Sequence, residues 1–484
     1  MGRLSNATLG RLPSAIARPG YDRAVLGQGI VHLGLGAFHR AHQAAYTEAV
    51  LQAGDRRWGI TAASLRSTDT RDALAPQDGL YTLEQRGQTD QLAVLGAVTQ
   101  VLVAPENPAA LIAAMARPET AIVSLTVTEK AYARDPASGA LDEADAGIRH
   151  DLGHLHAPRT PFGFLTAAIR ARRLAGLPPF TVLCCDNLPS NGRTVHALLS
   201  RFAGLVDADL GAYVAGEVAC PDTMVDRIVP ATTAEDRARI EAALGLRDAW
   251  PVTGEPFSQW VIEDHFTAGR PEWERAGAML VSEVAPFEAM KLRLLNGSHS
   301  AIAYLGYLAG YETVAEAMAD PGMAGFVARL MERTTPTVHL PPGVDLAAYR
   351  ASLLERFRNP ALRHRTWQIA MDGSQKLPQR LLDPVRALLA QGLPIDCHAL
   401  AVAGWMRYAA GVDERGQAID VRDPLAVELA RRATAGRAAE QLAPALLDMH
   451  AIFGDLGTHP GFRAAVTAAL GRLIAVGAKQ AVLG

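Results

Sequence analysis

The run Glu288-Ala-Met-Lys291-Leu-Arg-Leu-Leu-Asn296-Gly-Ser-His299 sets a carboxylate, an ammonium, an amide and an imidazole into a segment that otherwise reads apolar as far as Leu305. At about 100° per residue, an uninterrupted helix would carry Glu288, Lys291, Asn296 and His299 within roughly 140° of arc on one side. Polar and charged groups are costly to bury without partners, so a helix that only packs would hold Leu or Ala at these positions. Lys and His together can move a proton at neutral pH, and an Asn amide can hydrogen-bond an oxygen that gains charge. The competing reading is the solvated face of a half-buried helix.

A second set lies upstream. Gly34-Leu-Gly36-Ala-Phe38-His39-Arg40-Ala-His42-Gln43 follows directly on the apolar run Gly29–Leu33. Two glycines after a strand and at the opening of a helix permit a tight turn and close backbone approach to a pyrophosphate, with the helix amides as donors. His39 occupies the third position of G-x-G-x-x-G, where it crowds the contact between helix and strand. Asp69 stands after the second apolar run, where a carboxylate can accept hydrogen bonds from an adenosine ribose and repel a 2′-phosphate. NAD is therefore expected over NADP, although Arg66 lies close by.

Asn187 follows the run Phe180–Cys185. Ligands of open α/β sheets bind at the carboxyl ends of strands, so Asn187 is placed to face a site, or else serves as a turn residue. Asp226, next to Arg227, reads as a site acid or as half of a structural ion pair. His150, His154 and His156 fall in what reads as a loop or helix end, and no Cys/His/Asp cluster has zinc spacing, so no metal is expected. No tyrosine is followed four residues later by lysine, which removes one metal-free route to carbonyl reduction.

These groups need elements to hold them. Gly29–Leu33, Trp58–Leu65, Thr120–Val127 and Phe180–Cys185 read as buried strands, with helical patterns over Ala41–Leu51, Pro108–Ala116 and Gly163–Ala175 between them. That alternation predicts a parallel sheet covered on both faces. Beyond Val284 helical periodicity takes over: Glu288–Leu308, Pro321–Arg333, Asp345–Arg358, Pro394–Tyr408, Pro424–Ala435, Ala439–Ile452 and Gly461–Val476, with a loop over Pro336–Gly343. The expected organisation is an α/β Rossmann-type domain over 1–283 and a mostly helical domain over 284–484. Two domains also suit 484 residues, since single cores stop growing near 250–300.

Bulk properties narrow the function classes. With 49% hydrophobic and 20% charged residues and a net charge of −3, the chain has no electrostatic case for nucleic acid. No apolar stretch reads as a membrane span, and the polar N-terminus does not read as a secretory signal. The four cysteines lack CxxC spacing and read as core residues of a reduced, cytoplasmic protein.

The glycine motif, Asp186-Asn187, Met224-Val-Asp-Arg-Ile, Gln259-Trp-Val-Ile-Glu-Asp264 and Lys291-x4-Asn296-x2-His299 together resemble the mannitol dehydrogenase family of polyol-specific long-chain dehydrogenases, nearly end to end. The resemblance implies metal-independent, NAD(P)-dependent hydride transfer on a small polyol or sugar acid, by a monomer. It implies Lys291 as the catalytic acid/base, which requires a pKa well below the usual value of about 10.4. It assigns Asn187 and Asn296 to the oxyanion, His299 and Asp226 to the substrate, and Glu288 to proton exit. The cofactor is implied at Gly34, Gly36, Phe38, His39, Arg40 and Asp69.

Thr128-Glu129-Lys130, the run His364–Arg380 and Gly404–Tyr408 are more similar to the hexuronate branch, the fructuronate reductases or mannonate oxidoreductases. Mannitol-type members usually carry Gly at the Lys130 position and Arg where this chain has Gln368. Lys130 and Arg365 can pair with a uronate carboxylate, and Lys376 is a further candidate contact. Mannitol 2-dehydrogenase or another polyol dehydrogenase is the alternative, and a catalytically silent NAD-binding protein is the rival outside enzymes.

Overall fold

The strands are β1 Ile30–Leu33, β2 Ile60–Ser64, β3 Tyr81–Gln85, β4 Gln91–Leu95, β5 Val98–Val103, β6 Ile122–Leu125, β7 Thr181–Cys184, β8 Thr223–Asp226, β9 Val252–Gly254, β10 Gln259–Glu263 and β11 Met279–Val281. In this computed structural model, which describes residues 2–87, 89–135, 138–341 and 343–484, the chain divides into two compact units, Met1–Ala285 and Pro286–Gly484.

The first unit is built on a five-stranded parallel sheet in the order β5-β2-β1-β6-β7. All four residues of β1 are buried, as its central place requires, and β6 and β7 likewise expose nothing. The four expected strands are present. The edge strand β5 was not anticipated, because Val-Thr-Gln-Val-Leu-Val alternates in polarity and follows a hairpin, β3–β4. Two small sheets, β11-β10-β8 and β4-β3-β9, complete the unit. Pro108–Ala116 and Pro161–Leu174 open on proline and are capped by Asn107 and Thr160, whose side-chain oxygens accept from the amides of Ala110 and Gly163.

The helix expectations Ala41–Leu51 and Ala439–Ile452 are corrected. The expected helix Ala41–Leu51 begins earlier, as Ala37–Ala41, and breaks at His42 (φ −121°, ψ −94°) before Gln43–Gln52. Of the three histidines read as a loop or helix end, His150 lies in the last turn of the helix Ala146–Gly153, His154 caps it and His156 follows in a turn. The His150 and His154 rings stack at 4.7 Å, and among the described residues no group of three potential ligands could hold a metal ion. In the second unit Ala439–Ile452 is two helices, Ala439–Leu447 and His450–Phe453, with Pro444 inside the first.

The second unit is helical. Val314–Ala319, Pro321–Thr334, Thr366–Ala370, Asp396–Ala409 and Pro460–Ala481 pack around Gly297–Leu308, of which nearly every residue is buried. In the loop expected over Pro336–Gly343, Pro342 lies outside the described residues. One helix, Pro460–Ala481, is long and apolar enough to cross a membrane by length and composition, contrary to the sequence reading. Its Phe462, Val466, Leu470 and Leu473 are buried against Asp396–Ala409 and Ala439–Leu447, and Gly477 (φ +74°) breaks it.

Candidate active site

In the first unit the glycine turn joins the central strand to a helix at the point where the strand order reverses, where open α/β sheets bind dinucleotides. Gly34 has φ +94°, and a Cβ there would lie 2.1 Å from the Thr126 carbonyl oxygen. Only glycine fits. A Cβ at Gly36 would meet nothing nearer than the Gly34 oxygen at 3.8 Å, so the face of the turn is open. No side chain caps the helix Ala37–Ala41, which leaves its first amides to a ligand. These features suit a pyrophosphate cradle.

His39 is fully buried and stacks on His32 of β1, with ring centroids 3.4 Å apart. The imidazole that replaces the third glycine thus fills the helix–strand gap. Burial and the neighbouring His32, Arg40 and His42 hold it well below its usual pKa, hence neutral. His32, pushed down to about 3 by burial, is fixed by Ser124 Oγ (2.8 Å) and Thr126 Oγ1 (2.9 Å), and Ser124 Oγ in turn donates to Gln43. Arg40 is also buried. It donates to the Trp250 carbonyl and lies over the Tyr81 ring, and burial lowers it to about 10. Phe38 is half-buried and stacks on His42 at 5.0 Å. Asp69 is exposed and begins the helix Asp69–Leu74 beyond β2.

Asn187 is exposed just past the carboxyl end of β7, and Lys130 is exposed in a short turn, Glu129–Tyr132, past the carboxyl end of β6. Because β6 and β7 pair in register, the two lie on the same edge of the sheet. Asp226 is buried at the end of β8, opposite Gln259. Arg227 does not serve it as an open cation, since its guanidinium donates to the carbonyls of Glu255 and Ala41.

In the second unit the expected helix Glu288–Leu308 is three pieces: Ala285–Met290, a π-helix over Lys291–Asn296, and Gly297–Leu308. The difference matters for the chemistry. A π turn holds about one residue more than the 3.6 of an α turn, so each residue advances roughly 80–85°. Over the five steps from Lys291 to Asn296, an α-helix leaves the two side chains about 140° apart, and the π segment about 40–65°. The insertion swings the ammonium and the amide to nearly the same side.

A second π segment, Pro378–Leu382, packs on the first. A Cβ at Gly297 would lie 2.8 Å from the Arg380 carbonyl oxygen, and Arg380 Nη1 donates to Ser300 Oγ (3.2 Å). Lys291 is 8% exposed, and Asn296 and Glu288 are half-buried. His299 packs against Phe357 (4.4 Å) and meets His364 edge-on (5.5 Å). Burial, with His364, Arg356 and Arg380, keeps His299 well below its usual pKa, so it is a neutral imidazole. His364 is lowered to about 4 by burial and by Lys376.

Lys376 donates to the carbonyls of Met371 (2.6 Å) and Ile369 (3.4 Å). The structure thus sets Lys291 and Asn296 in one π segment packed on another, with His299 in the first turn of the helix that follows and Lys376 acting on its neighbour His364. Arg365 is turned to the surface instead, 3.7 Å from Glu312 with both side chains largely exposed. His364, Arg356 and Arg380 were not singled out by the sequence. His364 and Arg380 do bracket the run that resembles the hexuronate branch, which was the available signal.

Comparison with known proteins agrees with this layout. A model of the mannitol dehydrogenase Rossmann domain matches residues 28–275, and one of the mannitol dehydrogenase C-terminal domain matches residues 283–474. D-mannonate oxidoreductase of Escherichia coli (strain K12) is 48% identical over 96% of this chain and 97% of its own length. Mannitol 2-dehydrogenase of Aspergillus fumigatus is 40% identical over 94% and 93%. Among solved structures, mannitol 2-dehydrogenase of Pseudomonas fluorescens in ternary complex with NAD and D-mannitol superposes with a TM-score of 0.89 at 39% identity, covering 99% of this chain and 98% of that one. A D-sorbitol dehydrogenase in substrate-free form gives 0.90 at 32%, covering 99% and 100%. The chain therefore belongs to the mannitol dehydrogenase family and is a dehydrogenase acting on CH–OH groups.

Proposed function

We propose that this protein reduces D-fructuronate to D-mannonate with NADH, and runs the reverse oxidation with NAD, using Lys291 rather than a metal ion as the acid/base. The observation that carries the substrate class is the charge around His299: Arg356 and Arg380 act on it directly, and Lys376 acts on its neighbour His364. A cationic surround suits a substrate that bears a carboxylate. The 48% identity to a D-mannonate oxidoreductase points the same way.

Gly34, Gly36, Phe38, His39 and Arg40 would hold the pyrophosphate end of NAD(H) and Asp69 its adenosine ribose, and the cofactor, when bound, would supply or take up the hydride. In reduction Lys291 Nζ gives a proton to the substrate oxygen as the carbonyl carbon gains the hydride, and in oxidation it takes that proton back. Asn187 and Asn296 donate hydrogen bonds to the oxygen as it becomes an alkoxide. His299, as a neutral imidazole, orients that oxygen or its neighbouring hydroxyl, and Glu288 passes the proton on to water. Asp226, Lys376 and Lys130 are the proposed contacts to the rest of the sugar acid; Arg365, exposed beside Glu312, is not among them. A monomer in a reducing, cytoplasmic compartment is the proposed setting, in keeping with four free cysteines.

A mannitol 2-dehydrogenase or other polyol dehydrogenase is the second reading, favoured by the relatives of that name at 40% identity and by the D-mannitol-bound structure at 39%. The test is the rate of NADH oxidation with D-fructuronate, D-tagaturonate and D-fructose side by side. A kcat/KM for a uronate about a hundredfold above that for fructose, or about 2.7 kcal/mol of discrimination, supports the carboxylate reading. Preference for fructose overturns it in favour of the polyol reading. NADH binding without turnover of any of the three would make the protein a silent NAD-binding member.

A further inference from the structure

The carboxyl ends of β6 and β7 are tied together by one half-buried carboxylate, that of Asp186. Asp186 Oδ2 accepts from Tyr132 Oη (2.6 Å) and from the Val127 amide (2.9 Å), while Oδ1 accepts from the Thr128 amide (3.3 Å). The backbone of Asp186 is held as well. Asn191 Nδ2 donates to the carbonyls of Asp186 (3.1 Å) and Cys184 (3.0 Å), and Asn191 Oδ1 accepts from the Thr223 amide (2.8 Å). Thr126, at the start of the same loop, donates through Oγ1 to the Gly34 carbonyl (2.7 Å), so the tie reaches the glycine turn.

Within this loop Thr128 has φ +71° and ψ +152°. A β-branched residue at positive φ is an outlier that persists only where its surroundings over-determine it. Here the surroundings are the two Asp186 bonds to Val127 and Thr128 and the Tyr132 hydroxyl that closes the turn. Asn187 follows Asp186 directly, and Lys130 lies between Thr128 and Tyr132.

We propose that Tyr132 and Asp186 are positioning residues: their clasp holds Thr128 in its strained conformation and presents Asn187 and Lys130 from one rigid ledge at the carboxyl end of the sheet. The inference rests on the reading above, in which Asn187 serves the oxyanion and Lys130 the uronate carboxylate. It goes further by assigning specificity to two residues that touch no substrate. Burial raises the Asp186 carboxyl above its usual pKa, against the three donors that converge on it and favour its charged form.

The test is Tyr132→Phe, which deletes one hydroxyl without changing the ring. Displacement of Asn187 lowers kcat about tenfold with either D-fructuronate or D-fructose. Loss of Lys130 placement raises KM for D-fructuronate but not for D-fructose. Adding Thr128→Gly, which adopts φ +71° without strain, restores the uronate KM toward wild type. A residue that only stabilises the fold would lower Tm and leave the KM-against-kcat split unmoved, and that result overturns the proposal, as does a double variant no better than Y132F. Asp186→Asn keeps the volume and one acceptor oxygen, and is expected to show the same kcat loss should Y132F fail to fold. Wild-type enzyme that ignores D-fructuronate refutes the substrate reading instead, and the clasp is then judged by kcat on D-fructose.

Discussion

Gly297→Ala probes the link between the two π segments. Gly297 is helical (φ −61°, ψ −48°), so alanine suits its backbone and alone would favour the helix by about 0.8–1.0 kcal/mol. The added Cβ, however, would lie 2.8 Å from the Arg380 carbonyl oxygen, where ordinary contact begins at 3.4 Å. The two segments must therefore part by at least 0.6 Å, the difference of those distances. Overpacking of this kind costs about 1–3 kcal/mol, so the net loss is about 0–2 kcal/mol, a Tm fall of roughly 0–8 °C for a unit of this size.

The functional loss should exceed that. Asn296 is the residue immediately before, and since 1 Å of misplacement costs about a hundredfold, half that shift costs about tenfold in kcat/KM. Gly306→Ala, in the same helix with its nearest neighbour Ala317 Cβ at 3.3 Å, only 0.1 Å inside ordinary contact, is the control: most of the helix gain survives, so Tm should hold or rise slightly and turnover should not change. The assay is NADH oxidation with the best substrate of the panel, alongside thermal unfolding. If G297A turns over at the wild-type rate, the packing of Pro378–Leu382 does not set the position of Asn296, and the argument from the π segments fails. A fall in Tm with unchanged kcat would assign the contact to stability alone.

Other expectations follow the same logic. Lys291→Ala should lower turnover by about 10²–10⁴-fold, the usual worth of a general acid/base, while NADH affinity by fluorescence titration stays close to wild type; retained turnover removes Lys291 from the mechanism. Gly34→Ala adds both positive-φ strain and a 2.1 Å approach to Thr126, together about 2–5 kcal/mol. Gly36→Ala should leave Tm in place and weaken NADH binding, and equal Tm losses for the two would contradict the open face of the turn.

His398, buried beside Thr334 Oγ1 (3.0 Å), and His364 are both lowered to about 4 in the folded protein. Unfolded histidine titrates near 6.5, so between these values the unfolded chain binds more protons and stability falls as pH drops. Full stability is present above about 6.5, and each group removes about 2 kcal/mol by pH 5. Urea unfolding that is flat between pH 7 and 5 would show that these imidazoles are not held neutral.

The sequence by itself determined most of the elements, the family and a candidate site. Continuous apolar runs bounded by glycine and proline could form little but buried parallel strands, and the glycine pair after the first of them marked the turn. The Lys–Asn–His run was legible because polar groups in an apolar helix need a reason to be there. Edge strand β5 was not legible, because its alternation of polarity is shared by surface segments. Nor was the break at His42, where no Pro or Gly announces it.

The tertiary structure alone decided the phase of the helix that carries Lys291, Asn296 and His299. A π insertion leaves no signature in residue spacing; it depends on what packs against it, here Pro378–Leu382 against Gly297. Likewise His39 looked like an intrusion into a glycine motif, and only the stack on His32 shows the gap it fills. Arg365 read as a partner for a uronate carboxylate and lies at the surface beside Glu312. Periodicity records which face of an element is buried. Through-space pairing, backbone strain and the register of side chains across a helical irregularity arise from contacts between segments distant in sequence, which no local pattern encodes.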